Sequence, residues 1–288
     1  MKTISVDKSK QQSRVIPESR EREQRGTISY GDDDLFMQAD SILQKCNITI
    51  GPNSRYAHIK NEYYGKNEVA RLVAHQEACQ FLQILKHIAH DETWKIDIVD
   101  SFTTDPPIPL ESSTHTPGRN KQFELYLAAR FTQAGIAVQR EEPDLMCQLD
   151  DFTFSVAAKR IKTRAQLFKR IKEARKQIIK TGKPGIIAID ISQFQTLYYM
   201  PTTSIDAKLI SRAADDFLDI EFESKLERIR KVTGNNKIIG IIAFSTYCAK
   251  DPNNHTHLIC EHHNGSRLCK PNTEKASIVW TIIDMLSS

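Results

Sequence analysis

The sequence contains no apolar run that approaches the about 20 residues needed to cross a bilayer, so we predict no membrane partner and no membrane-spanning segment. Residues 1–9 also lack the apolar segment of a secretory signal, which favours a cytoplasmic location. The six cysteines are scattered through 288 residues, as expected of reduced thiols rather than a disulfide framework. A strong excess of one charge is missing too, since the formal net charge is +4. These absences argue against membrane and disulfide-rich secreted proteins and leave the local distribution of charge as the informative feature.

Composition divides the chain into four segments. Residues 1–30 are charged and polar with only isolated apolar side chains, so we predict a disordered tail. Apolar residues recur at helical spacing over 67–88, which predicts a helical N-terminal section across 31–102. Four prolines and many Ser and Thr residues make 103–119 a linker or loop. Helical and strand patterns then alternate over 120–288, which predicts an α/β domain.

Within that domain the pattern predicts a definite order of elements. The order is helix over about 120–134, strands over 136–140, 145–149 and 152–159 with a turn at 150–151, helix over about 163–180, strand over 185–192, helix over about 205–232, strand over 237–245, and short strands to the end. Thr163 is a good N-cap for the basic helix and Gly182 a natural stop. The continuous apolar run from Gly185 predicts a strand that is buried on both faces and central in the sheet.

Lys159 lies on a short apolar strand, where its burial calls for a chemical reason. The tight turn at 150–151 predicts a hairpin that brings Asp144 beside this strand, and Glu124 lies in the preceding helix. Strand alternation places position 157 and Lys159 on one face. Glu124, Asp144 and the carbonyl of Ala158 would bind Mg²⁺ or Mn²⁺, and Lys159 would stabilise negative charge on a phosphate. The predicted reaction is phosphodiester hydrolysis.

The segment 118–192 resembles the PD-(D/E)XK, or restriction-endonuclease-like, nuclease superfamily. Glu124 matches its helical acid, Pro143 and Asp144 its PD element, and Ala157 to Lys159 its (D/E)XK element. The resemblance covers about a quarter of the chain. It implies a mixed sheet core flanked by helices, a metal-dependent endonuclease that cuts DNA, catalytic roles for Glu124, Asp144 and Lys159, and the pairing of two copies as a homodimer.

The sequence departs from this family at Ala157, where a carboxylate is expected. Its absence weakens Mg²⁺ binding, since this hard cation prefers charged oxygens. Glu124 could supply the missing charge, as could Glu141 or Glu142. The alternative is a catalytically weak or inactive nuclease-fold protein that binds nucleic acid or a protein partner.

The segment after the lysine is strongly basic. It contains a single acid, Glu173, against eleven basic residues: Lys159, Arg160, Lys162, Arg164, Lys169, Arg170, Lys172, Arg175, Lys176, Lys180 and Lys183. Such a surface attracts nucleic-acid phosphates, although a solvated helix face is the simpler explanation of many charge runs. We expect nucleic-acid contacts from Arg160, Lys162, Lys169, Arg170 and Lys176. Gln177 resembles the glutamine that often follows the lysine motif in this superfamily, and it either contacts the site or flanks the core.

A second cluster of metal-ligand types lies near the end of the sequence. Its members are Cys248, His255, His257, Cys260, His262, His263 and Cys269. They lack the closely spaced cysteine pair of common structural zinc sites, so polar histidines and reduced cysteines are the preferred interpretation.

Overall fold

The computed structural model describes residues 27–28, 34–105, 116–192, 231, 237–250, 258–268 and 274–286. The helices are α1 (Leu35–Lys45), α2 (Arg55–Tyr63), α3 (Glu68–Ile88), α4 (Lys95–Thr103), α5 (Pro117–Gln133), α6 (Leu167–Thr181) and α7 (Glu274–Leu286). The strands are β1 (Thr27–Ile28), β2 (Ala137–Gln139), β3 (Leu145–Leu149), β4 (Phe152–Arg160), β5 (Gly185–Asp190), β6 (Ile238–Lys250) and β7 (Leu258–Leu268). The predicted helix over 205–232 lies almost entirely outside the described residues. So do most of the predicted tail and the central part of the predicted loop.

The strands form one mixed sheet in the order β1, β7, β6, β5, β4, β3, β2. The predicted hairpin is present, because β3 and β4 pair antiparallel with Leu145 opposite Val156 and Leu149 opposite Phe152. β4, β5 and β6 are parallel neighbours. The prediction that β5 is central and buried on both faces is confirmed, since all six of its residues are buried. The α/β class is confirmed as well.

Each face of the sheet packs against helices. The alternating residues Ala157, Ile187 and Ile189 enter an apolar cluster with α6. On the other face, Val156, Ala158 and Ile186 join a larger cluster that includes side chains from α1, α3, α4, α5 and α7. The helices of the N-terminal section therefore share a continuous core with the sheet.

Local sequence explains where several helices begin and end. Asp34 caps α1 by accepting hydrogen bonds from the backbone N–H groups of Phe36 and Met37. Asn67 caps α3 in the same way through the N–H of Ala70. Gly182 ends α6 in the left-handed conformation, as predicted.

Two sequence predictions need correction. Thr163 does not cap α6, because a short 3-10 turn (Arg164–Gln166) comes first and the helix begins at Leu167. The end of the chain is also not made of short strands, because β7 is 11 residues long and is followed by α7. Its buried residues Val279, Ile282 and Leu286 fall at helical spacing, so the pattern was present in the sequence.

None of the helices in the described part of the chain is long and apolar enough to cross a membrane.

Candidate functional site

The structure brings the predicted lysine and the predicted strand acid into direct contact. Asp144 lies just before β3, and its Oδ2 accepts a hydrogen bond from the N–H of Ala158 at 2.7 Å. The same oxygen lies 3.1 Å from Nζ of Lys159. That ammonium also donates to the carbonyl oxygen of Ala158 at 2.7 Å. The Lys159 ammonium is thus held by the same carboxylate and carbonyl that the sequence proposed as metal ligands.

Glu124 approaches this pair from α5. Its Oε2 lies 2.5 Å from Nζ of Lys121, one helical turn earlier. Glu124 and Asp144 are close enough that the charge of Asp144 acts on the titration of Glu124. We call Lys121, Glu124, Asp144, Ala158 and Lys159 the acid–lysine cluster. The two carboxylates, of Glu124 and Asp144, and the two ammonium groups, of Lys121 and Lys159, give the cluster a formal net charge of zero when all four are ionised.

Burial makes both carboxylates harder to ionise. Desolvation raises the pKa of Glu124, the charge of Asp144 adds to this effect, and Lys121 opposes it. Desolvation likewise raises the pKa of Asp144, against the attraction of Lys159 and the hydrogen bond from Ala158. Two carboxylates with raised pKa values in one place are typical of functional sites, because core packing alone gives no reason to bring them together.

The cluster fits a divalent cation only in part. The described residues contain no group of three Asp, Glu, His or Cys side chains arranged to hold a metal ion. Glu124, Asp144 and the Ala158 carbonyl nevertheless supply hard oxygen atoms. Mg²⁺ is commonly bound through one or two carboxylates together with substrate phosphates, and it keeps several waters. These residues therefore supply part of such a ligand set.

Ala157 does not lie at this cluster. It is fully buried in the apolar cluster under α6, among side chains such as Ile171 and Ile187. Strand alternation holds in β4, where Ala157 and Lys159 lie opposite Ile187 and Ile189 of β5. The Ala157 side chain is nevertheless packed in the core, whereas the longer Lys159 side chain reaches Asp144. Glu141 and Glu142 are exposed, so Glu124 is the acid that accompanies Asp144.

The basic residues predicted to bind nucleic acid fall into two environments. Lys169 and Lys176 are exposed on α6, and Arg170 is half-buried and lies 2.9 Å from Glu173. Lys162 is half-buried just before the helix. Arg160 is different, because its guanidinium is mostly buried and its Nε lies 3.2 Å from Oδ2 of Asp190. Exposed lysines of α6 thus form a basic surface, which we call the α6 basic face: Lys169, Lys172, Lys176 and Lys180.

Gln177 also lies on α6, next to the apolar residues that face the sheet. It is half-buried, and its Oε1 is buried with no hydrogen-bond partner among the described residues.

The structure also contains a buried ionic network that the sequence reasoning missed. Glu77 of α3 accepts hydrogen bonds from Nη1 of Arg55 at 2.8 Å, from Nε of Arg119 at 3.3 Å and from Nε2 of Gln122 at 3.0 Å. Burial would raise the pKa of Glu77, but Arg119, Arg55 and the hydrogen bond from Gln122 lower it to about 2. A sequence signal existed: Glu77 lies four residues after the core residue Val73, on the packing side of an amphipathic helix.

No protein-family model, curated protein or solved structure matches this chain. The resemblance to the PD-(D/E)XK superfamily therefore remains a prediction from the short motifs around Glu124, Asp144 and Lys159.

For the zinc alternative, the structure gives only strand register. Cys248 lies opposite Cys260, and Thr246 lies opposite His262, on the paired strands β6 and β7. His255, His257 and Cys269 lie outside the described residues.

Proposed function

We propose that this protein is a metal-dependent nuclease that hydrolyses phosphodiester bonds in DNA, with its reaction centre at the acid–lysine cluster. The observation that supports this most is the convergence of Asp144, Lys159 and the Ala158 carbonyl at the ends of two paired strands, with Glu124 beside them. Core packing alone does not require two partly desolvated carboxylates and a lysine at one place.

The chain's own residues have separable roles in this proposal. Lys159 stabilises negative charge that develops on the phosphate, as a fixed cation in a partly desolvated site. Asp144 orients that ammonium through the 3.1 Å contact and is itself oriented by the N–H of Ala158. Glu124, Asp144 and the Ala158 carbonyl would hold Mg²⁺ or Mn²⁺, which supplies Lewis-acid polarisation of the phosphate and a more acidic bound water.

The α6 basic face provides the proposed contact with the DNA backbone. Exposed lysines bind phosphates with little dependence on sequence, and their contribution falls as salt rises. Two copies of the chain, each cutting one strand, would be needed for double-strand cleavage by a single-centre enzyme, and such a homodimer is part of the proposal.

The decisive experiment incubates the protein with plasmid DNA and with single-stranded DNA in the presence of Mg²⁺, Mn²⁺ or EDTA. We expect metal-dependent nicking that Lys159→Ala reduces by about a hundredfold or more, as for loss of one charge-stabilising group. Lys95→Ala is a matched control, because Lys95 forms an exposed ion pair with Glu92 on the N-terminal section. Cleavage that survives Lys159→Ala would refute the assignment of the reaction centre.

A second candidate function is a nuclease-fold protein with little or no activity that binds nucleic acid or a protein partner. Two observations favour it: the Lys159 ammonium is bound to Asp144 and the Ala158 carbonyl, and Ala157 offers no third carboxylate. DNA binding without metal-dependent cleavage would support this alternative. Neutralising Lys169, Arg170 and Lys176 together should then lower the slope of log affinity against log salt by about 0.9 for each phosphate that the protein no longer neutralises.

A further inference from the structure

A polar cleft lies beside the acid–lysine cluster and plays no part in the function proposed above. Its lining comes from α3, α5 and the ends of β4 and β5: Gln76, Glu77, Gln80, Arg119, Gln122, Phe123, Arg160, Asp190 and Ser192. Eight of these nine side chains are polar, which is unusual for a cleft that borders a hydrophobic core.

Two guanidinium groups and two carboxylates line the cleft, those of Arg119, Arg160, Glu77 and Asp190. Arg55 is outside the lining but pairs with Glu77, which leaves one positive charge in excess. The carboxylates already accept internal hydrogen bonds: Glu77 from Arg55, Arg119 and Gln122, and Asp190 from Arg160 and the N–H of Ser192. Both lining arginines make these contacts through Nε. The carboxylates therefore fix the orientation of the guanidinium groups rather than present their own charge to a ligand.

The cleft and the cluster share two elements. On β4, Arg160 of the cleft directly follows Lys159 of the cluster. On α5, Phe123 of the cleft is adjacent to Glu124. The cleft and the cluster are therefore joined through β4 and α5.

We propose that this cleft binds a phosphate group of the same nucleic-acid strand whose phosphodiester lies at the acid–lysine cluster. Planar guanidinium groups held by carboxylates match the geometry of phosphate oxygens, and the amide groups of Gln76 and Gln80 add neutral hydrogen-bond donors. The identity of the ligand as nucleic acid rests on the proposed function, whereas phosphate binding by the cleft does not.

The test uses the full chain and a near-isosteric substitution, Gln80→Glu. Gln80 is half-buried at the cleft, and its Oε1 accepts from Nε2 of Gln122 at 2.7 Å, an interaction that a glutamate oxygen retains. The new negative charge should repel phosphate. We expect inorganic phosphate to bind the unchanged protein in isothermal titration calorimetry, against chloride at equal ionic strength, and to bind Gln80→Glu at least about tenfold more weakly.

Two further variants keep this test interpretable. Lys176→Gln on the α6 basic face should leave phosphate affinity unchanged while weakening DNA binding. Arg160→Lys, which keeps the charge but loses the planar fork, should also weaken phosphate binding and covers the case in which Gln80→Glu does not fold. Absence of phosphate binding, or equal affinity in the unchanged protein and the cleft variant, would overturn the proposal.

Oligonucleotides of one sequence, with a phosphorylated or an unphosphorylated end, separate the sources of the phosphate. Tighter binding of the phosphorylated end that Gln80→Glu removes identifies a terminal phosphate. Equal binding of both, weakened to the same degree by Gln80→Glu, identifies an internal phosphate. Oligonucleotide binding that does not respond to Gln80→Glu overturns the nucleic-acid proposal, even if free phosphate binds. If no metal-dependent cleavage is observed, the proposed nuclease function is refuted, whereas the phosphate-binding measurements still test the cleft.

Discussion

Replacing Glu77 by glutamine removes a carboxylate that joins Arg55 and Arg119 in the core. Glu77 is 6% exposed, and the two arginines are 1% and 2% exposed. Glutamine nearly keeps the shape of the glutamate side chain, but the buried guanidinium groups of Arg55 and Arg119 lose the negative charge that they share. Removing one partner of a buried ion pair is strongly destabilising, because the remaining charge stays desolvated.

The pKa of Glu77 gives the size of the effect. The surrounding arginines and Gln122 overcome the burial penalty and lower this pKa from 4.5 to about 2. A folded-state pKa below the unfolded value means that the ionised form stabilises the fold. The corresponding free energy is about 3 kcal/mol, present above pH 4.5 and lost progressively as the pH falls toward 2. We therefore expect Glu77→Gln to lower the free energy of unfolding by about 3 kcal/mol at neutral pH.

Urea unfolding, followed by circular dichroism from neutral pH downward, measures this difference. The matched control is Glu92→Gln, because Glu92 pairs with Lys95 at 2.6 Å but is 81% exposed in its side chain. The control should differ from the unchanged protein by less than about 1 kcal/mol, since exposed ion pairs contribute little. A Glu77→Gln effect as small as that of the control, or one that does not shrink below pH 4.5, would refute the reasoning.

Three further substitutions follow from the same geometry. Ala157→Glu should lower the free energy of unfolding by several kcal/mol in urea without raising the Mg²⁺ affinity measured by calorimetry, because the carboxylate would enter the apolar cluster under α6. Glu124→Gln should raise the melting temperature at neutral pH, because burial raises the pKa of Glu124 and disfavours its charged form. The increase should vanish below the ordinary glutamate pKa, where the carboxyl group is neutral in both the folded and the unfolded state. An increase that does not depend on pH would contradict this prediction. Gly185→Ala should lower the free energy of unfolding by about 1 to 3 kcal/mol in the same urea assay, because the added Cβ would meet Oγ of Ser155 at 2.5 Å and Cγ2 of Ile178 at 2.6 Å. An unchanged free energy of unfolding would contradict this prediction and show that β4 and α6 shift at little cost.

Local pattern was a good guide to the elements around the candidate site. Strand β3 begins and ends at the residues that alternation predicted, and β4 extends one residue further to Arg160. The long apolar run predicted the central position of β5. Helices α2 and α4 lie within the predicted helical section, but their bounds were not predicted, because each has only nine residues and short helices depend on packing against longer neighbours.

Site residues were harder to place than elements. Lys159, Asp144 and Glu124 come together, because a tight hairpin and a preceding helix restrict where their side chains can go. Alternation places Ala157 and Lys159 on one face of β4, but it does not predict that α6 covers Ala157 while the longer Lys159 side chain reaches Asp144. Arg160 was predicted on a nucleic-acid surface, yet its ion pair with Asp190 depends on the parallel pairing of β4 with β5, which no local pattern specifies.

Residues close along the chain were enough to specify the order of most strands and helices, the hairpin, the basic character of α6 and the short motifs around the lysine, because each of these features is local in sequence. Tertiary structure determined which charges meet. Glu77, Arg119, Arg160 and Asp190 line one cleft only because α3 packs against α5 and because β4 lies beside β5 in the sheet. Contacts between residues so far apart in sequence leave no local periodicity, and the free energy of a buried charge depends on its partners in space.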